Sequence, residues 1–251
     1  AQSAMCAAIT GVTPEYGLLL EQNRAGDVLI QVEADVDSEY DYELLGYITP
    51  KKMGQAYHCP VFNGLSKQTT SEQLMDLGTQ LNIHGIVPMF HVVGVTPEAA
   101  DVHTAFLGRK DPPVVTITNE DLAQARAEIS AGTGKADFCI LGCPHLTINQ
   151  VGSIAKMLDG QQLAGQLYIF TSTSTKELAQ RMGYLDIIHK AGGEIVINSC
   201  VDQPCWSHLY GMSGVTESPK CAYYTKRWNM TFTVKSIPAC IQSVLKGEIV
   251  S

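Results

Sequence analysis

The sequence predicts an α/β protein built on parallel β-sheet with βαβ units. Strand and helix patterns alternate along most of the 251 residues. Three strand–turn–helix units follow one another between residues 136 and 198, and chain segments of that length form crossovers between parallel strands. Apolar residues make up 45% of the chain, which is enough for a buried core and excludes a disordered chain.

The first part of the chain contains five predicted elements. Residues 27–34 and 114–118 read as strands because β-branched residues alternate there with polar ones. Residues 70–81 read as a helix that begins with a capping box, in which Thr70 is followed three residues later by Gln73. Residues 85–95 read as a buried strand that runs into a Gly-Val-Thr-Pro turn. A helix is predicted over residues 119–130, with acidic residues in its first turn.

The later part is more regular. Strands are predicted at residues 136–141, 166–170 and 194–198, and helices at 147–158 and 174–191, the second broken near Gly183. A final helix is predicted near residues 238–245. The Arg-Lys-Asp-Pro-Pro stretch at 109–113 suggests a domain boundary that divides the chain into residues 1–110 and 111–251.

Composition narrows the function classes. The 25 acidic residues outnumber the 17 basic ones, and basic residues are not clustered, which argues against a nucleic-acid partner. No apolar run approaches the roughly 18 residues of a membrane span. The eight cysteines lack a secretory context and several lie in apolar runs, so most are expected to be reduced, buried thiols of a cytoplasmic protein. We therefore expect a small-molecule substrate.

Polar residues that follow the predicted strands mark a candidate site, because ligands bind at the carboxyl ends of parallel strands. His91 follows the strand at 85–90, His145 lies in the turn after 136–141, Thr171 and Ser172 follow 166–170, and Cys200 follows 194–198. Each also has a purely structural interpretation. His91 fits a hydrogen-bonded core histidine, His145 a turn residue, and the hydroxyl groups an ordinary helix entry.

Several segments, in the same order along almost the whole chain, resemble the aconitase X large subunit. They are the Ala-Ile-Thr-Gly at 8–11 with Tyr-Gly at 16–17, the His-Val-Val-Gly-Val-Thr-Pro-Glu-Ala string at 91–99, the Gly-Cys-Pro-His turn at 142–145, residues 218–224 and the segment around Cys240. The string at 91–99 is the most specific. The resemblance implies aconitase-like parallel-sheet domains.

The resemblance also implies a hydro-lyase that acts on a small hydroxylated carboxylic acid. The family contains phosphomevalonate dehydratase and cis-3-hydroxyproline dehydratase, and the segment at 16–24 is closer to the former. The implied cofactor is an iron–sulfur cluster held by three cysteines. Cys200 and Cys240 match two ligands, and the third is expected in an N-terminal region beyond this chain. A small, swivelling subunit or domain is expected to supply a catalytic serine.

Further residues take roles either from the resemblance, as Lys220 and Tyr224 do, or from their place at the predicted strand ends. His145, Lys220 and Tyr224 are the expected catalytic donors, and Arg24 is expected to bind substrate with His91, Thr171 and Ser172. The chain starts without Met in a helical run, so we expect a fragment or processed subunit that is inactive alone.

Three positions depart from the family pattern: Leu19 replaces a His, Gln150 a Glu and Asn198 an Asp. These changes keep a non-catalytic binding or assembly module open as an alternative. A Rossmann-like dinucleotide enzyme is a weaker one, since no G-x-G-x-x-G follows a predicted strand.

Overall fold

The computed structural model describes residues 2–54, 56–130, 132 and 134–250. Within these residues the strands form two separate parallel sheets, one of four strands and one of five. An exposed helix, α1 (Gln2–Thr10), precedes both sheets and buries none of its side chains. The prediction of an α/β protein with parallel sheets is confirmed.

The first sheet has the strand order β3-β2-β1-β4. Its elements are β1 (Val28–Val32), α2 (Glu39–Met53), β2 (Pro60–Asn63), α3 (Ser71–Gln80), β3 (His91–Val92), α4 (Val102–Ala105), β4 (Val114–Ile117) and α5 (Asn119–Ile129). Helix α3 begins at the predicted capping box, with the Thr70 hydroxyl accepting from the Gln73 N–H and the Gln73 side chain accepting from the Thr70 N–H. Side chains of β1 and α2 form the centre of the core.

The second sheet has the order β7-β6-β5-β8-β9. Its elements are β5 (Phe138–Leu141), α6 (Ile148–Leu158), β6 (Gln166–Thr171), α7 (Thr173–Arg181), α8 (Tyr184–Ala191), β7 (Gly193–Ile197), β8 (Ser213–Thr216), α9 (Pro219–Thr225), β9 (Thr231–Val234) and α10 (Ile237–Lys246). Strands β5, β6 and β7 pair in parallel, as the predicted βαβ units require. The predicted break between α7 and α8 falls at Gly183, which has a φ of 78°.

Two predicted elements differ from the structure. The strand predicted at 85–95 is reduced to His91–Val92, because Pro88 has no N–H for a sheet ladder and Ile86 is 76% exposed. His91 therefore lies within a strand and not after one. The helix predicted to start at Ser174 starts one residue earlier, with Ser172 as its N-cap.

Strand pairing connects the two sides of the boundary predicted at residue 110. Residues 29–32 of β1 pair with residues 114–117 of β4, so β4 belongs to the first sheet. The described segment between α5 and β5 then joins the two sheets. The two parts are in direct contact, since the buried Gln80 side chain donates to Ser218 and accepts from the Lys220 N–H.

Candidate functional site

A cavity of about 510 Å³ lies at the carboxyl ends of the strands in the second sheet. We call it the strand-end cavity. It is lined by His145 from the β5–α6 turn and by the residues that follow β7, which are Asn198, Ser199, Cys200, Gln203, Pro204 and Cys205. Helices and loops that follow parallel strands converge at this edge, which is where α/β proteins bind ligands.

Two of the predicted site residues meet in this cavity. The imidazole Nε2 of His145 lies 3.1 Å from the carbonyl oxygen of Ser199, which places His145 beside the loop that carries Cys200. The Cys200 side chain is exposed, and its carbonyl accepts a 3.1 Å hydrogen bond from the Trp206 indole. The cavity therefore combines an imidazole with two exposed thiols, those of Cys200 and Cys205.

The turn that carries His145 is held by a buried carboxylate. Glu217, directly after β8, accepts hydrogen bonds at Oε1 from the backbone N–H groups of Gly142 at 2.6 Å and Cys143 at 3.1 Å. Burial raises the pKa of Glu217, and these hydrogen bonds act in the opposite direction. Gly142 has a φ of 115°, and a Cβ there would lie 2.3 Å from the carbonyl oxygen of Phe170.

Cys143 is a further thiol at this edge. Burial raises its pKa to about 11, Cys200 and Glu217 act in the same direction, and the positive charge of Lys220 lowers it. The charges of Cys200 and Lys220 therefore both act on the Cys143 thiol. Sequence reasoning did not select Cys143 or Glu217. Cys143 shares the turn of His145, which was a usable signal, but Glu217 follows a strand that was not predicted.

Cys240 is not part of this cavity. It lies in α10, is 0% exposed, and its Sγ is 3.4 Å from the carbonyl oxygen of Lys235. Burial raises the pKa of its thiol well above the usual value, and the neighbouring Cys139 contributes. Within the described residues, no three His, Cys, Asp or Glu side chains are arranged to hold a metal ion.

The two residues predicted on α9 occupy different positions. Helix α9 begins at Ser218, whose hydroxyl accepts from the Cys221 N–H, and this places Lys220 on the first turn near the Cys143 thiol. Tyr224 is 37% exposed and packs edge-on against Tyr223. Lys220 is thus the α9 residue whose charge acts on a strand-end group, the Cys143 thiol.

The predicted hydroxyl groups after β6 are engaged in local structure. Thr171 is 0% exposed and donates a 2.6 Å hydrogen bond to the carbonyl oxygen of Leu146. The Ser172 hydroxyl accepts from the Thr175 N–H as the N-cap of α7. Both side chains position the loops around the strand ends.

Arg24 and His91 lie together in the part of the molecule that contains the first sheet. The His91 Nε2 is 2.7 Å from the carbonyl oxygen of Arg24, and the His91 side chain is buried. The Arg24 guanidinium pairs with Glu98 at 2.8 Å and donates to the carbonyl oxygens of Leu18 and Leu19. These residues do not line the strand-end cavity.

The three unusual residues have different surroundings. Leu19 is 54% exposed, and Asn198 lines the strand-end cavity and accepts a hydrogen bond from Thr173. Gln150 completes the capping box of α6 with its side-chain oxygen and donates through Nε2 to Glu39 at 2.8 Å. An amide can donate to that carboxylate, whereas an ionised Glu at the same position would repel it.

A second, larger cavity of about 1270 Å³ lies between the parts of the chain that carry the two sheets. We call it the large cavity. The N-terminal turns of α2, α3, α6 and α10 line it, together with α5 and Glu217. Glu217 therefore faces the large cavity while its carboxylate holds the turn of the strand-end cavity.

None of the helices in the described part of the chain has the length and apolar character that a membrane span requires.

Comparison with family models assigns both parts of the chain. Residues 26–127 match the second domain of aconitase X, and residues 136–246 match its third domain. The solved structure of aconitase X from Thermococcus kodakaraensis in its holo-form superposes with a TM-score of 0.82 at 30% identity. That match covers 96% of this chain and 61% of the other.

Curated relatives support the same assignment. The chain is 36% identical over 222 residues to the phosphomevalonate dehydratase large subunit of Methanothermobacter thermautotrophicus, which covers 88% of this chain and 53% of the relative. The Thermococcus kodakarensis large subunit is 32% identical, with coverages of 96% and 60%. The cis-3-hydroxy-L-proline dehydratase of Pseudomonas aeruginosa is 33% identical, with coverages of 80% and 36%. The chain thus spans between about a third and three-fifths of these relatives.

Proposed function

The chain belongs to the aconitase X family, and we propose that it forms part of the large subunit of a hydro-lyase. The proposed reaction removes water from a small hydroxylated carboxylic acid. The observation that carries the proposal is the strand-end cavity, where the exposed Cys200 thiol lies with His145 and close to Cys143 and Lys220. The site thus combines thiols, which are soft metal ligands, with an imidazole and an ammonium group, which bind anions.

The donor set fits an iron–sulfur cluster held in part by this chain. Thiolates are the usual ligands of such clusters, and at this edge of the sheet Cys200 contributes to the raised pKa of the Cys143 thiol. We propose these two as ligands, because the thiol of Cys240 is enclosed in the core and directed to the Lys235 carbonyl. The third thiolate is proposed to come from a part of the protein outside these 251 residues, since the relatives are longer.

When bound, such a cluster supplies a Lewis acid that favours departure of the substrate hydroxyl. The residues of this chain bind and orient the substrate. The Lys220 ammonium near Cys143 and the imidazole of His145 are placed to hold a carboxylate or phosphate oxygen. The relatives are named large subunits, which implies a small partner subunit, and we propose that a serine of that subunit removes the proton.

Phosphomevalonate is the substrate we favour. The identity to the phosphomevalonate dehydratase large subunit is 36% over 222 residues, against 33% over 210 residues for the hydroxyproline enzyme. A lysine at the site also suits a phosphate group. Cis-3-hydroxy-L-proline is the alternative. All eight cysteines are free among the described residues, which suits a reducing compartment, and we place the enzyme in the cytoplasm.

The test is the content of iron and acid-labile sulfide in the complete protein with its partner, purified without oxygen. We expect about one cluster per large subunit, with loss of iron in Cys200→Ser and Cys143→Ser. Cys6→Ser is the matched control, because Cys6 is an exposed thiol on α1 outside the site. If Cys240→Ser retains its iron, this supports Cys143 as the ligand. If Cys240→Ser loses its iron, Cys240 is the ligand instead, as the resemblance implies.

Activity is measured on the same preparations with both substrates. Loss of water from phosphomevalonate, and none from cis-3-hydroxy-L-proline, supports the favoured reaction. A complete protein that binds no iron under these conditions contradicts the dehydratase and leaves the non-catalytic binding module.

A further inference from the structure

The large cavity is strongly acidic. Six carboxylates and two basic groups line it, the acids being Glu39, Asp41, Glu43, Glu72, Asp76 and Glu217 and the bases Arg126 and Lys235. Counted with every side chain ionised, the 23 lining residues carry a net charge of −4, which is more negative charge per residue than the −8 over 251 residues of the whole chain. A cavity of one sign attracts ligands of the opposite sign.

Four of these carboxylates already have partners within the protein. Asp41 pairs with Arg126 at 3.3 Å, Glu39 accepts from Gln150, and Glu72 accepts from Asn149. Glu217 accepts the two backbone hydrogen bonds of the β5–α6 turn. Their charges are therefore stabilised without any ligand.

Glu43 and Asp76 have no such partner. Glu43 is 2% exposed and Asp76 is 4% exposed, both line the large cavity, and neither side chain makes a hydrogen bond or ion pair with a residue that the structure describes. Burial and the neighbouring acids raise the pKa of Asp76 to about 8 and that of Glu43 well above its usual value. A buried carboxyl group without a partner is held in its neutral form, and because these two face a cavity, a cationic ligand bound there would allow them to ionise and pair with it.

The shape and lining of the cavity indicate an organic cation. A volume of about 1270 Å³ is large for a bare metal ion, and within the described residues no three side chains form a metal-binding group. Apolar side chains line other parts of the same cavity, among them Leu146, Met157 and Ile237. An alkylammonium compound has both an ammonium group for the carboxylates and a chain for these apolar walls.

We propose that the large cavity binds a primary alkylammonium group. Glu43 and Asp76 hold the ammonium, and Leu146, Met157 and Ile237 contact the alkyl chain. Two sources share this chemistry: a free amine, and the lysine side chain of another polypeptide. This assignment is independent of the proposed dehydratase function, since none of these residues lines the strand-end cavity.

The test is isothermal titration calorimetry on the complete protein at pH 8, with cadaverine and with Nα-acetyl-lysine N-methylamide as probes. We expect saturable binding of at least one probe, weakened roughly 10- to 100-fold in Glu43→Gln and in Asp76→Asn, because each removes a charge-assisted hydrogen bond. Tighter binding of cadaverine assigns a free amine, and tighter binding of the blocked lysine assigns a protein side chain.

Two controls separate the proposal from simpler explanations. Glu120→Gln removes an exposed acid of α5 that does not line the cavity, and binding is expected to stay unchanged. Pentane-1,5-diol has the chain of cadaverine without its charge, so it tests the wild-type protein even where a variant fails to fold. Equal binding of the diol, unchanged binding in both carboxylate variants, or displacement of the amine by MgCl₂ at equal concentration overturns the proposal.

Discussion

The carboxylate of Glu217 is predicted to hold the turn that carries Cys143 and His145, and its removal measures that role. Glu217→Ala deletes the acceptor for the Gly142 and Cys143 N–H groups. Each N–H that loses its partner in a buried place costs about 1–3 kcal/mol. The direct sum is about 2–6 kcal/mol, and water entering from the large cavity offsets part of it. We therefore expect a loss of ~2–4 kcal/mol in the free energy of unfolding.

Glu217→Gln is the informative companion variant. Its side-chain oxygen can still accept both N–H hydrogen bonds, while Thr216 can accept from the new amide. We expect the loss in this variant to be less than half of that in Glu217→Ala. The assay is urea unfolding at pH 7, together with hydrogen exchange at the Gly142 and Cys143 amides, which should become faster in Glu217→Ala alone.

The control for this experiment is Glu72→Ala. Glu72 is an acid on the same cavity, and it accepts a single 3.3 Å hydrogen bond from Asn149. Its removal is expected to change stability by less than about 1 kcal/mol. Equal stability losses in the Ala and Gln variants of Glu217, or unchanged exchange at Gly142 and Cys143, would refute the structural role given to this carboxylate.

Three further predictions concern buried polar groups and a glycine. In the folded protein the pKa of Asp76 is raised to about 8, whereas in the unfolded chain it is about 4. Between these two pH values the folded protein keeps the Asp76 proton that the unfolded chain releases. The free energy of unfolding therefore falls as the pH rises from about 4 to about 8. Asn carries no such proton, so the free energy of unfolding of Asp76→Asn, measured in urea, should rise relative to the wild type by up to about 4 kcal/mol between pH 5 and pH 8. The same stability difference between variant and wild type at both pH values contradicts this. Gln150→Glu places a second carboxylate against Glu39. Because both acids are more fully ionised at pH 8, the variant should lower the midpoint of thermal unfolding more at pH 8 than at pH 5. A larger decrease at pH 5 contradicts this prediction. Gly142→Ala puts a Cβ 2.3 Å from a carbonyl oxygen of β6 at a φ of 115° and should destabilise by more than ~3 kcal/mol, whereas a loss below 1 kcal/mol means that the turn relaxes.

Local signals in the sequence were sufficient for many elements. The capping box at Thr70 predicts the start of α3, because the two partners of a box lie three residues apart, and Thr147 and Gln150 have the same spacing at the start of α6. Helix α2 was not predicted, since it contains Pro50 and is buried on most sides and so lacks a clear polar face. Strands β8 and β9 have four residues each and no alternation strong enough to identify them.

The site was predictable only where neighbouring strands bring their ends together. His145 and Cys200 follow strands of one sheet, and the structure places them on one cavity. His91 and Arg24 belong to the part with the first sheet, and no local pattern shows that the chain forms two sheets and not one. The hydrogen bonds that the Gly142 and Cys143 N–H groups donate to Glu217 join residues 75 and 74 positions apart, so only the tertiary structure reveals them.

The strand order of the second sheet has a consequence for the timing of assembly during synthesis. Strand β5 is flanked by β6 on one side and by β8 on the other, and β8 leaves the ribosome after β7. Until then the nascent sheet has an open edge at β5, a surface prone to wrong pairing. Glu217, whose carboxylate accepts the hydrogen bond from the Cys143 N–H, follows β8 directly in the chain and is therefore made after it. The turn that carries the Cys143 thiol is thus held in place only after β8 and Glu217 have been made.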